Sequence, residues 1–454
     1  MKLRRAGQVY ARFVSVAAAR RVLLAAVAAL AASPTGASAA YAPVDHAGPA
    51  LSAPAPALSA ALQCSPGVDH PARTPVLLVP GTGSNPKDNY SWNYEPALTA
   101  KGIGWCALTL PDNANDDVQV AGEYVVSAIR TMYARAGRRI AIIGHSQGGM
   151  VPRWALRFWP DTRAMVDDLI AFAPSNHGTT QARAKCSPGS MCTAADWQQR
   201  DDSSFIGALN SGQETFPGIS YTDVYTHTDE VVEPNLDSNG SSSLHGGGGR
   251  ITNVAVQDIC PNDSSEHLAL GTYDNVAYNL AIDALGNDGP ADPARVPPTA
   301  CAQPLMPGVN PATFPRDAGQ ALIDDETSSA AQYPAEPPLA CYVTLSCADA
   351  GQNATARGCP TGRRLLRVRA PRGRRVVVIG LKVDGRLVLR RRGRRLTRIA
   401  VPPLAAGGHV PTLEQTLASG HRRVVHVRVE GCVSRATARH RRVAHRPRGS
   451  HRPH

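Results

Sequence analysis

The stretch Ile140-Ala141-Ile142-Ile143-Gly144-His145-Ser146-Gln147-Gly148-Gly149-Met150-Val151 decides the fold. Its first four residues form an apolar run of the kind that a strand buried on both faces requires. The glycines two before and two after Ser146 let that strand turn sharply into a helix, where a larger side chain would meet backbone. Such an elbow lifts the serine hydroxyl above a sheet. It also aims the unpaired N–H groups of the helix N-terminus at any negative charge that develops beside the serine. The chain holds 40 glycines in 454 residues, so the pentapeptide alone is weak. The strand before it and the helix after it carry the inference.

Upstream, Pro75-Val76-Leu77-Leu78-Val79-Pro80-Gly81-Thr82-Gly83 reads as a second buried parallel strand ending in a glycine-flanked turn. A tetrahedral acyl intermediate gathers its charge on one oxygen, and donors fixed about 3 Å from it are commonly the largest single catalytic contribution. Thr82 and Gln147 are the candidate oxyanion donors.

A serine hydroxyl is a poor nucleophile unless a histidine takes its proton and a carboxylate orients that histidine. On an α/β-hydrolase sheet the partners follow in the order serine, acid, histidine. The β-rich run Ile219 to Thr226 delivers Asp229 into the loop after it, and Asp229 is the candidate acid. The run Ile251 to Gln257 leads through a polar loop to His267, the candidate base, which precedes a helical stretch from Leu268 to about Leu285. His177, His227 and His245 are weaker candidates by order or by distance from a strand end.

Parallel strands near 76–81, 139–144, 167–173, 219–226 and 251–257 alternate with helical stretches. One of these, from Val118 to Arg135, puts Val118, Val125, Ile129 and Met132 on one face. The pattern is a doubly wound, mostly parallel α/β sheet. No dinucleotide fingerprint or P-loop lysine follows the first strand, so no nucleotide cofactor is expected. The ten cysteines lack the paired spacings of a zinc site, so no metal is expected either.

The strings VPGTG, SQGG, AFAP (Ala171 to Pro174), WQQ (Trp197 to Gln199) and TDE-V (Thr228 to Val231) resemble, in the same order, the lipase B family typified by the Candida antarctica enzyme. The likeness spans about residues 51–301. It implies an α/β-hydrolase serine lipase or esterase with triad Ser146, Asp229 and His267 and oxyanion donors Thr82 and Gln147. It also implies disulfides Cys64–Cys106 and Cys260–Cys301. Cys186 and Cys192 bracket five residues and are expected to close a small loop, while the connectivity of Cys341, Cys347, Cys359 and Cys432 stays open. Three departures stand out. His145 replaces a tryptophan before the nucleophile, Ser175 replaces an aspartate after AFAP, and residues 302–340 show no counterpart of the family's entrance helices.

Lys2, Arg4, Arg5, Arg12, Arg20 and Arg21 precede the uncharged run Val22 to Ala32, and Ala37-Ser38-Ala39 offers small residues for cleavage. Residues 1–39 therefore read as a secretory signal peptide, with no transmembrane anchor expected. An even cysteine count suits an oxidising compartment.

The formal net charge of +12 hides two opposite parts. Residues 363–454 carry 25 basic and three acidic residues, whereas the rest carries an acidic excess. The expected organisation is a catalytic domain over 40–301, a Pro/Ala-rich linker over 302–340, an Arg-rich β-sandwich-like domain over 341–432 and a disordered basic tail over 433–454. Leu381 to Leu389, with Asp384-Gly385 between alternating apolar residues, signals a hairpin.

The expected function is a secreted ester hydrolase working through an acyl-enzyme on Ser146. Acyl transfer to another acceptor, a polymeric ester substrate, and a noncatalytic anionic-surface binder on a hydrolase scaffold are the alternatives. The arginines point to wall polymers or lipid headgroups rather than to specific nucleic acid, because few aromatics interleave with them.

Overall fold

The computed structural model describes residues 41–326, 330–345, 364–368, 374–383, 386–394, 396–401, 408–409, 412–426 and 429–430. The signal-peptide and tail readings, and Cys347, Cys359 and Cys432, lie outside the described residues.

The strands in chain order are β1 (Leu62–Cys64), β2 (Val76–Val79), β3 (Trp105–Leu108), β4 (Ile140–His145), β5 (Val166–Phe172), β6 (Cys192–Thr193), β7 (Ser220–Tyr225) and β8 (Arg250–Ala255). Seven of them form one sheet in the order β1-β3-β2-β4-β5-β7-β8, parallel throughout except for β1 against β3. This is the α/β-hydrolase architecture. Every residue of β2 and β4 is buried, as strands covered on both faces must be.

Alternate side chains enter two cores. Leu77, Val79, Ile140 and Ile142 meet Val118, Val125, Ile129 and Met132 of the helix Val118–Ala136, together with Trp154 of the helix Gln147–Phe158. On the other face Val76, Leu78, Ala141, Ile143, Ile170 and Phe172 meet Val276, Leu280 and Ala284 of the helix Asn275–Gly286. Disulfides join Cys64 to Cys106, Cys186 to Cys192 and Cys260 to Cys301. Cys64 and Cys106 stand directly opposite each other in the β1–β3 pair. Cys186, Cys192 and Asp196 cluster closely, but the two sulfurs are bonded to each other and Asp196 pairs with Lys185.

Three features differ from the sequence expectation. Short β1 and β3 extend the sheet beyond the five anticipated strands. The stretch after His267 is two helices, His267–Thr272 and Asn275–Gly286, because the Asp274 side chain caps Ala277 N–H and restarts the second.

The third concerns residues 302–340, expected as a loosely ordered connection. Met306 and Val309 are buried, and the helix Phe314–Glu326 sets Phe314 against Trp92 and Tyr273. β9 (Gln332–Tyr333) pairs with β6, and Glu336 accepts from the N–H groups of Ser204 and Phe205. Farther on, Tyr342 takes a hydrogen bond from Trp154 Nε1 and Val343 is fully buried. Apolar anchors spaced through a Pro/Ala-rich stretch tie it to the α/β core. The core's last packed residues thus fall after the expected boundary at 340.

Beyond residue 363 the strands are β10 (Arg364–Arg367), β11 (Val376–Val383), β12 (Arg386–Arg392), β13 (Arg398–Val401), β14 (Gly408–His409), β15 (Thr412–Leu417), β16 (Arg422–His426) and β17 (Val429–Glu430). They form a four-stranded antiparallel sheet, β12-β11-β15-β16, and two strand pairs. β11 and β12 pair with Val383 opposite Arg386, the hairpin that Asp-Gly signals. Among the described residues no helix is long and apolar enough to cross a membrane.

Candidate active site

Ser146 stands between β4 and the helix Gln147–Phe158 at φ 55° and ψ −124°, in a region that L-residues avoid. A Cβ on Gly144 would fall on the Gly148 carbonyl, and one on Gly148 would fall on the Val79 carbonyl, so the turn closes only with glycine at both places. Ser146 N–H donates to Phe172 O at 2.8 Å, anchoring the strained residue to β5.

The Asp229 carboxylate meets His267 Nδ1 at 3.0 and 3.1 Å through its two oxygens. Both residues are buried. Val231 and Val232 N–H donate to Asp229 Oδ1 at 3.0 and 2.8 Å, and Asn235 Nδ2 approaches Oδ2 at 3.4 Å. Burial pushes the Asp229 carboxyl up, but the His267 charge, its hydrogen bond and the two backbone donors outweigh burial and hold it below the usual range. Burial pushes His267 down, while Asp229, Glu230 and Glu266 more than reverse that and raise it.

The backbone of His267 is tied at both ends. Its N–H donates to Glu230 Oε2 at 3.2 Å, and its carbonyl lies 3.1 Å from His145 Nε2. With Asp229 on Nδ1, the imidazole presents Nε2 for proton transfer.

His145 directly precedes Ser146, and its ring centroid lies 4.9 Å from that of His267. Burial, and then the nearby His267 charge, push His145 down to about 3, so it is neutral across the physiological range. A Cβ on Gly271 would enter the His145 ring, so the helix carrying His267 sits close over it.

Thr82 and Gln147 are joined as well, with Gln147 Nε2 donating to Thr82 Oγ1 at 3.0 Å. The backbone N–H groups of Thr82 and Gln147 have no partner among the described residues. Ser146 Cβ lies 3.2 Å from where a Gly81 Cβ would stand. The loops after parallel β2, β4, β7 and β8 therefore bring the five candidates to one end of the sheet. Asp229 bonds His267, Gln147 bonds Thr82, and Ser146 links the two pairs through its neighbours.

The weaker histidine candidates go elsewhere. His177 contacts Glu214 and the Ser241 carbonyl, His245 lies against His177, and His227 lies against Tyr225. Residues that the motif reading passed over include Glu230, inside the TDE-V string, and His145, noted there only as the replacement of a tryptophan.

No family model matches the chain. Lipase B of Pseudozyma antarctica is 34% identical over 213 residues, which is 47% of this chain and 61% of that lipase, so the match spans less than two thirds of its length. The crystal structure of Aspergillus fumigatus lipase B is similar with a TM-score of 0.60 at 30% identity, covering 69% of this chain and 77% of that one. Together with the α/β-hydrolase sheet and the order of the site residues along it, these relatives show that the chain belongs to the lipase B family.

Proposed function

We propose that the protein is an exported serine carboxylic-ester hydrolase working through an acyl-enzyme. Ser146 Oγ attacks the ester carbonyl while His267 Nε2 takes its proton, and the oxygen that becomes negative is held by Thr82 and Gln147. Collapse releases the alcohol, which carries away the proton from His267. Water, deprotonated by the same imidazole, then frees the acid and restores Ser146. Asp229 stays ionised and stabilises the imidazolium.

The observation that carries this reading is the buried Asp229–His267 pair, in which His267 is anchored at its backbone N–H, its backbone carbonyl and its imidazole Nδ1. A fluorophosphonate probe tests it: the chain should label at Ser146 and hydrolyse p-nitrophenyl esters, and Ser146→Ala should do neither. Failure to label would favour a noncatalytic hydrolase scaffold. Competition between water and an added alcohol separates hydrolysis from acyl transfer.

The β12-β11-β15-β16 sheet supports a second element of the proposal, an anionic surface as partner. Residues directly opposite across antiparallel strands share a face. Arg392, Val378, Thr416 and Arg422 form one such row, and Arg390, Gly380, Glu414 and Val424 the next. The arginines of both rows are exposed, and Ile379, Leu381, Gln415 and Leu417 are buried. A two-sided sheet of this kind presents guanidinium groups to anionic lipid headgroups or wall polymers. Sedimentation with anionic vesicles at low and high salt tests it, and binding that ignores salt would remove it.

A further inference from the structure

Thr82 Oγ1 receives two hydrogen bonds, from Gln147 Nε2 at 3.0 Å and from Gln199 Nε2 at 2.8 Å. A hydroxyl has two lone pairs and one proton. Both acceptor positions are filled, so the proton is what Thr82 has left to offer.

Neighbouring groups fix both amides in this orientation. Gln147 Nε2 also donates to the Ala114 carbonyl at 2.9 Å, which can only accept. Gln199 Nε2 faces the Ala195 carbonyl at 3.4 Å, and its Oε1 accepts from Ser175 Oγ at 2.9 Å. Gln147, Gln199 and Ser175 are all buried. Gln147 Oε1 has no partner among the described residues.

We propose that Gln199, held by Ser175, is a positioning residue that keeps the Thr82 hydroxyl as an obligate donor to the substrate oxyanion. The inference rests on the ester-hydrolase reading above. Ser175 holds the Gln199 amide oxygen through a hydroxyl that does not titrate at working pH, and the Ala195 carbonyl, which can only accept, sets which end of the amide faces Thr82.

A double-mutant cycle on a soluble p-nitrophenyl ester tests the coupling. Thr82→Val should lower kcat about 10²-fold, the scale of losing one oxyanion donor. Gln199→Leu should lower kcat about tenfold with KM nearly unchanged when Thr82 is present, and less than about twofold when Thr82→Val is already in place. Ser175→Ala should show the same dependence on Thr82 more weakly, and it carries the test if Gln199→Leu does not fold. A merely structural role would instead move Tm and leave the losses independent. Losses that multiply, or unchanged kcat in both variants, would overturn this proposal alone. A wild-type chain that neither labels with fluorophosphonate nor hydrolyses esters would overturn the underlying reading and this proposal with it.

Discussion

In the seven-stranded sheet β4 is buried along its whole length, whereas in β12 Arg390, Arg391 and Arg392 stand exposed one after another. The two regions treat charge differently. Around the α/β core, arginines find carboxylates within the same unit: Arg130 with Asp161, Arg135 with Asp69, Arg163 with Asp45, Arg295 with Asp283. Beyond residue 363, the exposed Arg374, Arg375, Arg390, Arg391, Arg392, Arg394, Arg398 and Arg422 form no ion pair among the described residues. Several arginines of the α/β part are matched by nearby carboxylates, whereas these arginines of the C-terminal sheets face solvent.

The sharpest way to break that contrast is to remove the Ser146 hydroxyl. Ser146→Ala should lower ester hydrolysis by about 10⁶-fold, the scale of losing a triad serine, while leaving vesicle binding unchanged. Loss of both together would mean that the two regions do not act separately. Asp229→Asn should cost about 10⁴-fold in kcat. His267 is held above its ordinary value, 6.5, by Asp229 first and then by Glu230 and Glu266. Wild-type activity should therefore rise as pH climbs through a limb above 6.5, where the base loses its proton. Removing the Asp229 charge should move that limb to lower pH, which kcat/KM between about pH 5 and 9 would read directly.

On the other side of the comparison, replacing Arg390, Arg392 and Arg422 together by Ala should weaken partition to anionic vesicles about 10²-fold, at about 1 kcal/mol for each basic residue near such a surface. Hydrolysis of a soluble ester should not change. If it fell, the basic sheet would belong to the catalytic apparatus rather than beside it.

The same contrast explains what could be read from the chain before its structure. β2 and the first four residues of β4 are uninterrupted apolar runs, so their burial in a parallel sheet follows from composition alone, and the elbow follows from two glycines that tolerate no Cβ. Order along a parallel sheet then placed Asp229 and His267. What escaped was set by tertiary contact. β1 and β3 are short, and their pairing is stapled by Cys64–Cys106. The 302–340 stretch looks like linker by its prolines, yet Met306, Val309 and Phe314 reach a core formed by residues far away in sequence. The anchoring of the His267 carbonyl by His145 is likewise invisible in a one-dimensional pattern, because 122 positions separate the pair.

The smallest effect tests whether charge buried near the core governs stability while exposed charge does not. Asp223 is fully within the core of the α/β unit, and Asn176 Nδ2 donates to its Oδ1 at 2.8 Å. Burial pushes its carboxyl up to about 8, with Arg153 and Asn176 only partly offsetting that. A native value above the unfolded one means that the folded state binds the proton more tightly. Its contribution is therefore fully present below about pH 4 and is lost as pH rises toward 8. Asp223→Asn replaces the protonated acid with a neutral group of the same shape. The variant and wild type should melt together only below about pH 4, and the variant should melt increasingly higher than wild type as pH rises toward about 8. Some slope should remain, because burial also raises Asp168 to about 7 and Asp274 to about 6. The triple arginine variant, whose groups are solvated in both folded and unfolded states, should shift stability by no more than about 0.5 kcal/mol at either pH. Equal pH slopes for Asp223→Asn and wild type would remove the buried acid from the account, and with it the assignment of stability to the core's charges.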